Sequence, residues 1–258
     1  MAKFVVFSFD DGREDTFTRA YPILKKYNMP FTLNVCTDFV VHPERYSCFQ
    51  SADNKSVEPE HLVELQQNGI EIACHGHLHQ NTPGDILDNI AALEKMGIEV
   101  HNIGFASPNS VITEENSNGV LDLVEKGVLS YVRSGTQVRR EGLLYSVLTY
   151  LERKTHSLWL FRWLNRKNTV NASRTQILMS VAITRHTTVK QILNFVEYLK
   201  DDEGVILMFH SVIEKDDRGY GKDNWYFDAK KLEDLCEKLN HMDILVCTTQ
   251  QLIQRRGV

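Results

Sequence analysis

The stretch Lys3-Phe4-Val5-Val6-Phe7-Ser8-Phe9-Asp10-Asp11-Gly12 is an apolar, β-branched and aromatic run that stops abruptly on two carboxylates and a glycine. It predicts a buried strand over residues 4–9 with an acidic turn at its end. Runs of the same kind recur at 31–35, 70–74, 102–106, 129–133, 205–209 and 244–247. Segments of helical period lie between them, at 15–27, 60–68, 85–96, 113–126, 188–201 and 228–239, and Gly69, Gly97 and Gly127 sit just past three of their ends as left-handed caps require. Seven strand–helix repeats argue for parallel βαβ units closed into a barrel, or into a barrel-like open sheet. In either, the chemistry gathers where strands end.

With 258 residues, 42% of them hydrophobic and 24% charged, the chain can bury one large core, and we read it as a single domain over 1–258. The interval 136–187 breaks the rhythm and is expected to be an insertion. Net charge is −5, which gives no ground for a nucleic-acid partner, but the charge is segregated. Between Arg133 and Arg185 there are ten Lys/Arg and two Asp/Glu, a local +8 that leaves −13 for the rest. Five cysteines without a C-x-x-C pair exclude a disulfide framework as the organising principle and fit a reducing compartment. The N-terminal apolar run is too short for a signal peptide, and no later stretch offers ~18 uncharged apolar residues, so the sequence reads as cytoplasmic. An exported protein shorn of its leader would read the same way.

Three strand ends carry the reactive residues. Asp10 and Asp11 are neighbours, so they project differently, and one can face a metal while the other serves as a base. The third strand ends in Cys74-His75-Gly76-His77-Leu78-His79, where His75 and His79 are four apart and can face one way on a helical turn or tight loop. Two neutral imidazoles and one carboxylate make a catalytic zinc set that leaves coordination positions open. His77 reads as a supporting or surface group, and Cys74 as pointing into the core. The strand at 205–209 delivers His210 to the same rim, where an imidazole suits a general acid.

These motifs resemble the polysaccharide deacetylase family, carbohydrate esterases with a distorted (β/α) barrel. Ser8-Phe9-Asp10-Asp11-Gly12 is similar to that family's T-F-D-D-G, His75-Gly76-His77-Leu78-His79 to its H-[ST]-x-x-H, and Met208-Phe209-His210 to its late L-x-H. The resemblance implies a seven-stranded distorted barrel and a metal-dependent hydrolase that removes an N-acyl group, acetyl above all, from a sugar or polysaccharide. It implies Asp10 as general base, His210 as general acid, and Asp11, His75 and His79 as ligands of one divalent ion, zinc first.

Two departures stand out. The family's R-x-P appears as Ala106-Ser107-Pro108-Asn109, so the arginine that orients the base is missing, although the Asn109 backbone N–H can still serve an oxyanion. Arg133, ending the next strand, is the candidate replacement, with a plain surface arginine as the alternative. The family's D-S-x-D-W survives only as Arg133-Ser134-Gly135, and Trp225 is the candidate aromatic wall for a sugar ring.

A carbohydrate or glycan substrate is therefore expected, and a non-catalytic carbohydrate-binding relative is the competing reading. The basic, aromatic interval 136–187 suits a cap on the barrel or a contact between copies in a homo-oligomer. Alternatively it suits peripheral contact with an anionic membrane, where the substrate would be a lipid-linked sugar deacylated or deformylated at the inner face.

Overall fold

The structure is a computed structural model, and it describes residues 2–45, 55–108, 112, 117, 119–135, 143–171 and 177–255. In chain order the elements are β1 (Lys3–Phe9), a π-helical turn (Thr16–Ala20) running into α1 (Tyr21–Lys26), β2 (Phe31–Val35), α2 (Thr37–Val41), α3 (Pro59–Gln67), β3 (Glu71–Cys74), α4 (Pro83–Lys95), β4 (Phe105–Ala106), α5 (Val120–Glu125) and β5 (Val132–Arg133). Then come α6 (Leu143–Thr155), α7 (Leu158–Asn165), β6 (Thr169–Asn171), β7 (Ile177–Leu178), β8 (Val181–Ala182), α8 (Val189–Glu197), β9 (Glu203–Phe209), β10 (Ser211–Ile213), β11 (Tyr226–Asp228), α9 (Ala229–Asn240), β12 (Ile244–Val246) and α10 (Thr249–Gln254).

Ten strands form one sheet along the path β6-β9-β1-β2-β3-β4-β5-β7, with β12 on β1 and β8 on β9. All pairings are parallel except that of β6 with β9. The seven strands expected from the sequence are all present. Three more lie inside the interval 136–187, and two of them bring the ends of the sheet together: Ile177 and Leu178 pair with β5, while Val181 and Ala182 pair with β9. A bend at Met179-Ser180 thus carries one short stretch from one side of the gap to the other, and the sheet becomes a distorted (β/α) barrel. The sequence could not announce this stretch, because its two pieces of two residues each are shorter than any window in which a strand period can be read.

Strand alternation sorts the side chains. Val5, Phe7 and Phe9 of β1, Phe31, Leu33 and Val35 of β2, Ile72 and Cys74 of β3, and Val205, Leu207 and Phe209 of β9 belong to the large core shared with the surrounding helices. Rings of Phe7, Phe9 and Phe209 stack there, with centroids 5.8 and 5.2 Å apart. Their neighbours in sequence face the inside of the barrel. Phe4, Val6, Tyr131, Leu178, Ile206 and Cys247 fill its lower end against Leu252 of α10, and above them the inward positions turn polar: Ser8, Asp10, Thr32, Asn34 and Arg133, all buried.

Helix starts follow local chemistry. Thr82 caps α4 by accepting from the Asp85 N–H, Thr188 and Gln191 form a capping box on α8, and Asp228 caps α9. Of the helix expected over 113–126, only Val120–Glu125 is helical among the described residues.

Candidate metal and catalytic centre

The turn after β1 separates the two aspartates. Asp11 and Gly12 both have left-handed backbone, at φ 77° and 69°, a conformation that costs a non-glycine residue energy and is typically kept where function needs it. Asp10 therefore continues the inward face of β1, while Asp11 swings across the rim toward the end of β3. Arg13, which the sequence reading did not single out, fixes that direction: its Nε and Nη2 donate to Asp11 Oδ2 at 3.1 and 2.8 Å, and its Nη1 donates to Ser211 Oγ at 2.7 Å. Oδ1 of Asp11 is left pointing at the histidines.

His75 follows the last residue of β3 and is buried. Its Nδ1 donates to the Ala106 carbonyl at 2.9 Å, which fixes the tautomer and leaves the Nε2 lone pair aimed at the rim. His79 arrives on a tight loop, not on a helix. Asp85, three residues into α4, holds that loop by accepting from the N–H groups of Leu78 at 2.7 Å and Gln80 at 3.0 Å. Gly76 is left-handed at φ 79°, and a Cβ there would run into the Asp85 carboxylate and the Gln80 backbone. The result is that His75 Nε2 and His79 Nε2 each lie 3.5 Å from Asp11 Oδ1. These ligand atoms all fall within 4.8 Å of one another, the only such group among the described residues. Their donor set of one oxygen and two imidazole nitrogens, with Asp11 Oδ2 held by Arg13 and His75 Nδ1 by the Ala106 carbonyl, fits a zinc- or cobalt-type ion with open positions. His77 stands outside the set, bonded through Nδ1 to Thr37 Oγ1 at 2.8 Å.

Asp10 is clamped. Nη2 of Arg133 donates to both of its oxygens at 2.7 Å, and Asn34 Nδ2 donates to Oδ1 at 2.8 Å. Arg133 is 0% exposed, so the surface alternative is excluded and the arginine expected to replace the missing one does meet the carboxylate. Ser180, at the bend that closes the barrel, accepts from Arg133 Nη1 at 3.2 Å. Burial alone would push Asp10 upward, but Arg133, then His75 and His210, outweigh it and hold the carboxyl below its ordinary pKa. Asp10 is therefore a carboxylate at neutral pH.

His210 follows β9, beside Asp10, whose N–H donates to the Phe209 carbonyl at 2.9 Å. Burial lowers its pKa, partly offset by Asp11 and Asp10, and its Nδ1 has no hydrogen-bond partner among the described residues. The small parallel pair β10–β11 brings Trp225 alongside: the Ser211 N–H donates to the Trp225 carbonyl at 3.2 Å, and the two rings lie 4.8 Å apart. Trp225 keeps part of its face in solvent. Asn109 lies outside the described residues.

Sequence reasoning missed Arg13, Asn34, Asp85 and Ser180. Asn34 had a signal, since Thr32 and Asn34 are polar residues alternating with Phe31, Leu33 and Val35 in a buried strand. The other three had none short of the fold.

Comparison with known proteins agrees with this geometry. Residues 1–118 match the sequence model of the polysaccharide deacetylase family. The match covers a little under half of the chain and makes it similar to that family over this stretch. The candidate polysaccharide deacetylase YxkH of Bacillus subtilis is 32% identical over 98 residues, which are 36% of this chain and only 31% of that protein's length. Among solved structures, a family 4 acetyl xylan esterase from Clostridium thermocellum, in complex with a cobalt ion, superposes with a TM-score of 0.54 at 16% identity, covering 99% of this chain and 92% of that one. The peptidoglycan deacetylase PdaC of Bacillus subtilis gives 0.52 at 16% identity over 99% and 93%. At such identities these two share the fold. The sequence match of the deacetylase family takes in Asp10, Asp11, His75 and His79; Arg133, His210 and Trp225 lie beyond it and join the centre through the barrel.

Proposed function

We propose that the protein is a metal-dependent hydrolase that removes an N-acyl group, acetyl first, from a glycan. The observation that carries this reading is the convergence of Asp11 Oδ1, His75 Nε2 and His79 Nε2 beside a buried carboxylate, Asp10, that is not part of the ligand set and is held ionised. A binding module has no use for a clamped base and a rim imidazole in addition to a metal set, which tells against the non-catalytic alternative.

The three ligand residues would hold one divalent ion, zinc or, as in the acetyl xylan esterase structure, cobalt, and the ion would supply Lewis-acid polarisation of the acyl carbonyl. The chain's own residues divide the proton work. Asp10 accepts the proton of the attacking water, and Arg133 and Asn34 fix which lone pair of the carboxylate does so. His210, on the neighbouring strand end, donates a proton to the departing sugar amine. The ring of Trp225, packed on His210 with one face open, supplies an apolar wall for the sugar and shields that proton transfer from water.

The test is acetate release from acetylated chito-oligosaccharides, and from an aryl acetate, by zinc-loaded protein. His79→Ala should abolish both activity and metal binding, measured by elemental analysis. Asp10→Asn should keep metal and fold but lose ~10²-fold or more in rate, as removal of a general base does. No acetate release with any of these substrates and any divalent ion would overturn the reading in favour of a binding module.

A further inference from the structure

Helix α6 has two faces of opposite meaning. Its inner side, Tyr145, Leu148, Thr149 and Glu152, is buried or half-buried, and the Glu152 carboxylate accepts from Gln191 Nε2 of α8 at 2.5 Å. Its outer side is apolar and exposed. Leu143, Leu144, Val147, Tyr150 and Leu151 follow the spacing of one helical stripe, and Leu143 and Leu144 are 83% and 73% exposed. Trp159 on α7 is also exposed, at 58%, and stacks on Trp163 at 6.3 Å. No described residue covers these side chains, and a cluster of this size is not ordinary surface scatter.

The polar groups around the stripe are almost all of one sign. From 143 to 167 the chain carries Arg153, Lys154, Arg162, Arg166 and Lys167 against a single acid, Glu152, which is turned inward. The cations are laid over aromatic rings: Arg162 over Tyr198 at 3.8 Å, Arg166 over Trp163 at 4.2 Å and Lys154 over Tyr150 at 5.8 Å. Exposed leucines, ring–cation pairs and a one-signed polar border together are the composition of a helix that lies in the boundary between lipid headgroups and acyl chains.

We infer that the outer face of the α6–α7 hairpin is a docking surface for an anionic lipid bilayer. The charge decides against a second copy of the chain. A two-fold contact through this patch would set the same five cations against each other, with no acid of the hairpin's outer face among the described residues to pair with them. A bilayer containing anionic headgroups supplies both the apolar layer for the leucines and the counter-charge for the cations. No helix is long and apolar enough to cross a membrane among the described residues, so the contact would be peripheral.

This inference does not depend on the proposed deacylation, and its test separates the two. Full-length protein is sedimented with vesicles of phosphatidylcholine alone and of phosphatidylcholine with phosphatidylglycerol, at low and high salt. Binding is expected to the anionic vesicles only and to fall with salt. Arg153→Gln and Lys154→Gln should each weaken it about fivefold. The double variant Leu144→Glu, Leu151→Glu should abolish it, while leaving circular dichroism and turnover of a soluble acetylated substrate unchanged, since both side chains stand in solvent. Equal binding to neutral vesicles, no binding at low salt, or full binding by the double variant would each overturn the inference. So would a concentration-dependent dimer that the double variant dissolves without any vesicle binding, or retention on heparin that it leaves intact, because these assign the face to a second copy or to a soluble polyanion.

Discussion

Replacing Arg133 with Met tests the structural account most directly, because it keeps much of the side chain's volume and removes only the guanidinium. Arg133 is 0% exposed and Asp10 is 3% exposed, and the pair is joined by two contacts of 2.7 Å. In the variant Asp10 would retain only the Asn34 amide inside the barrel, a buried charge without its counter-charge. Breaking a buried pair from one side costs about 3–5 kcal/mol, whereas removing both partners together is often neutral. Arg133→Met should therefore destabilise by about 3–5 kcal/mol, a fall in Tm of roughly 6–20 °C for a chain of this length. Asp10→Asn combined with Arg133→Met should recover most of that loss. Neither the Nε of Arg133 nor the Oδ1 of Asn34 has a hydrogen-bond partner among the described residues, so the native pair is itself imperfectly satisfied, and the double variant can approach wild-type stability. Urea unfolding of the four proteins, all with the same metal content, closes a double-mutant cycle. A cost below about 1 kcal/mol for Arg133→Met, or no recovery in the double variant, would falsify the claim that Arg133 exists to hold Asp10.

Asp15 is buried, and desolvation, opposed by Arg13 and by hydrogen bonds from the Val212 and Ser211 region, lifts its pKa to about 7. Against an unfolded value near ~3.9, the folded state binds the extra proton, so stability should fall as pH rises from about 4 to about 7, by on the order of 4 kcal/mol, and level off above. Asp15→Asn should flatten that slope in thermal melts across the range; an unchanged slope removes Asp15 as its source. A Cβ at Gly104 would fall within the Tyr131 ring, whose hydroxyl donates to Glu71 at 2.6 Å inside the barrel. Gly104→Ala should therefore cost more than ~2 kcal/mol or prevent soluble expression, and a wild-type Tm would show that the ring moves aside freely. Trp225→Ala should raise KM for soluble glycans severalfold with metal content intact. An unchanged KM would leave this ring no part in holding the sugar.

The barrel, and the strand ends at which Asp11, His75 and His79 gather, were legible in the sequence because both depend on local pattern. Seven apolar runs alternate with helical segments, and the side-chain period of a strand decides which residues face inward. The D-D-G turn and the H-x-x-x-H loop are equally local as patterns: each directly follows an apolar run, which puts its residues at a strand end. What joins different strands was legible only where the resemblance left a role to fill: Arg133, 123 positions from Asp10, was the expected replacement for the missing arginine, whereas Arg13 reaching Ser211 from 198 positions away and Asp85 organising the His79 loop from the next helix were not foreseen. Barrel closure through residues 177–182 was hidden for the same reason, since each half of that stretch becomes a strand only because β5 and β9 lie beside it. The alternation of polar and apolar residues fixes the direction in which a side chain points. The identity of the group it meets depends on which strands the closed sheet makes neighbours, a property of the whole chain that no segment carries by itself.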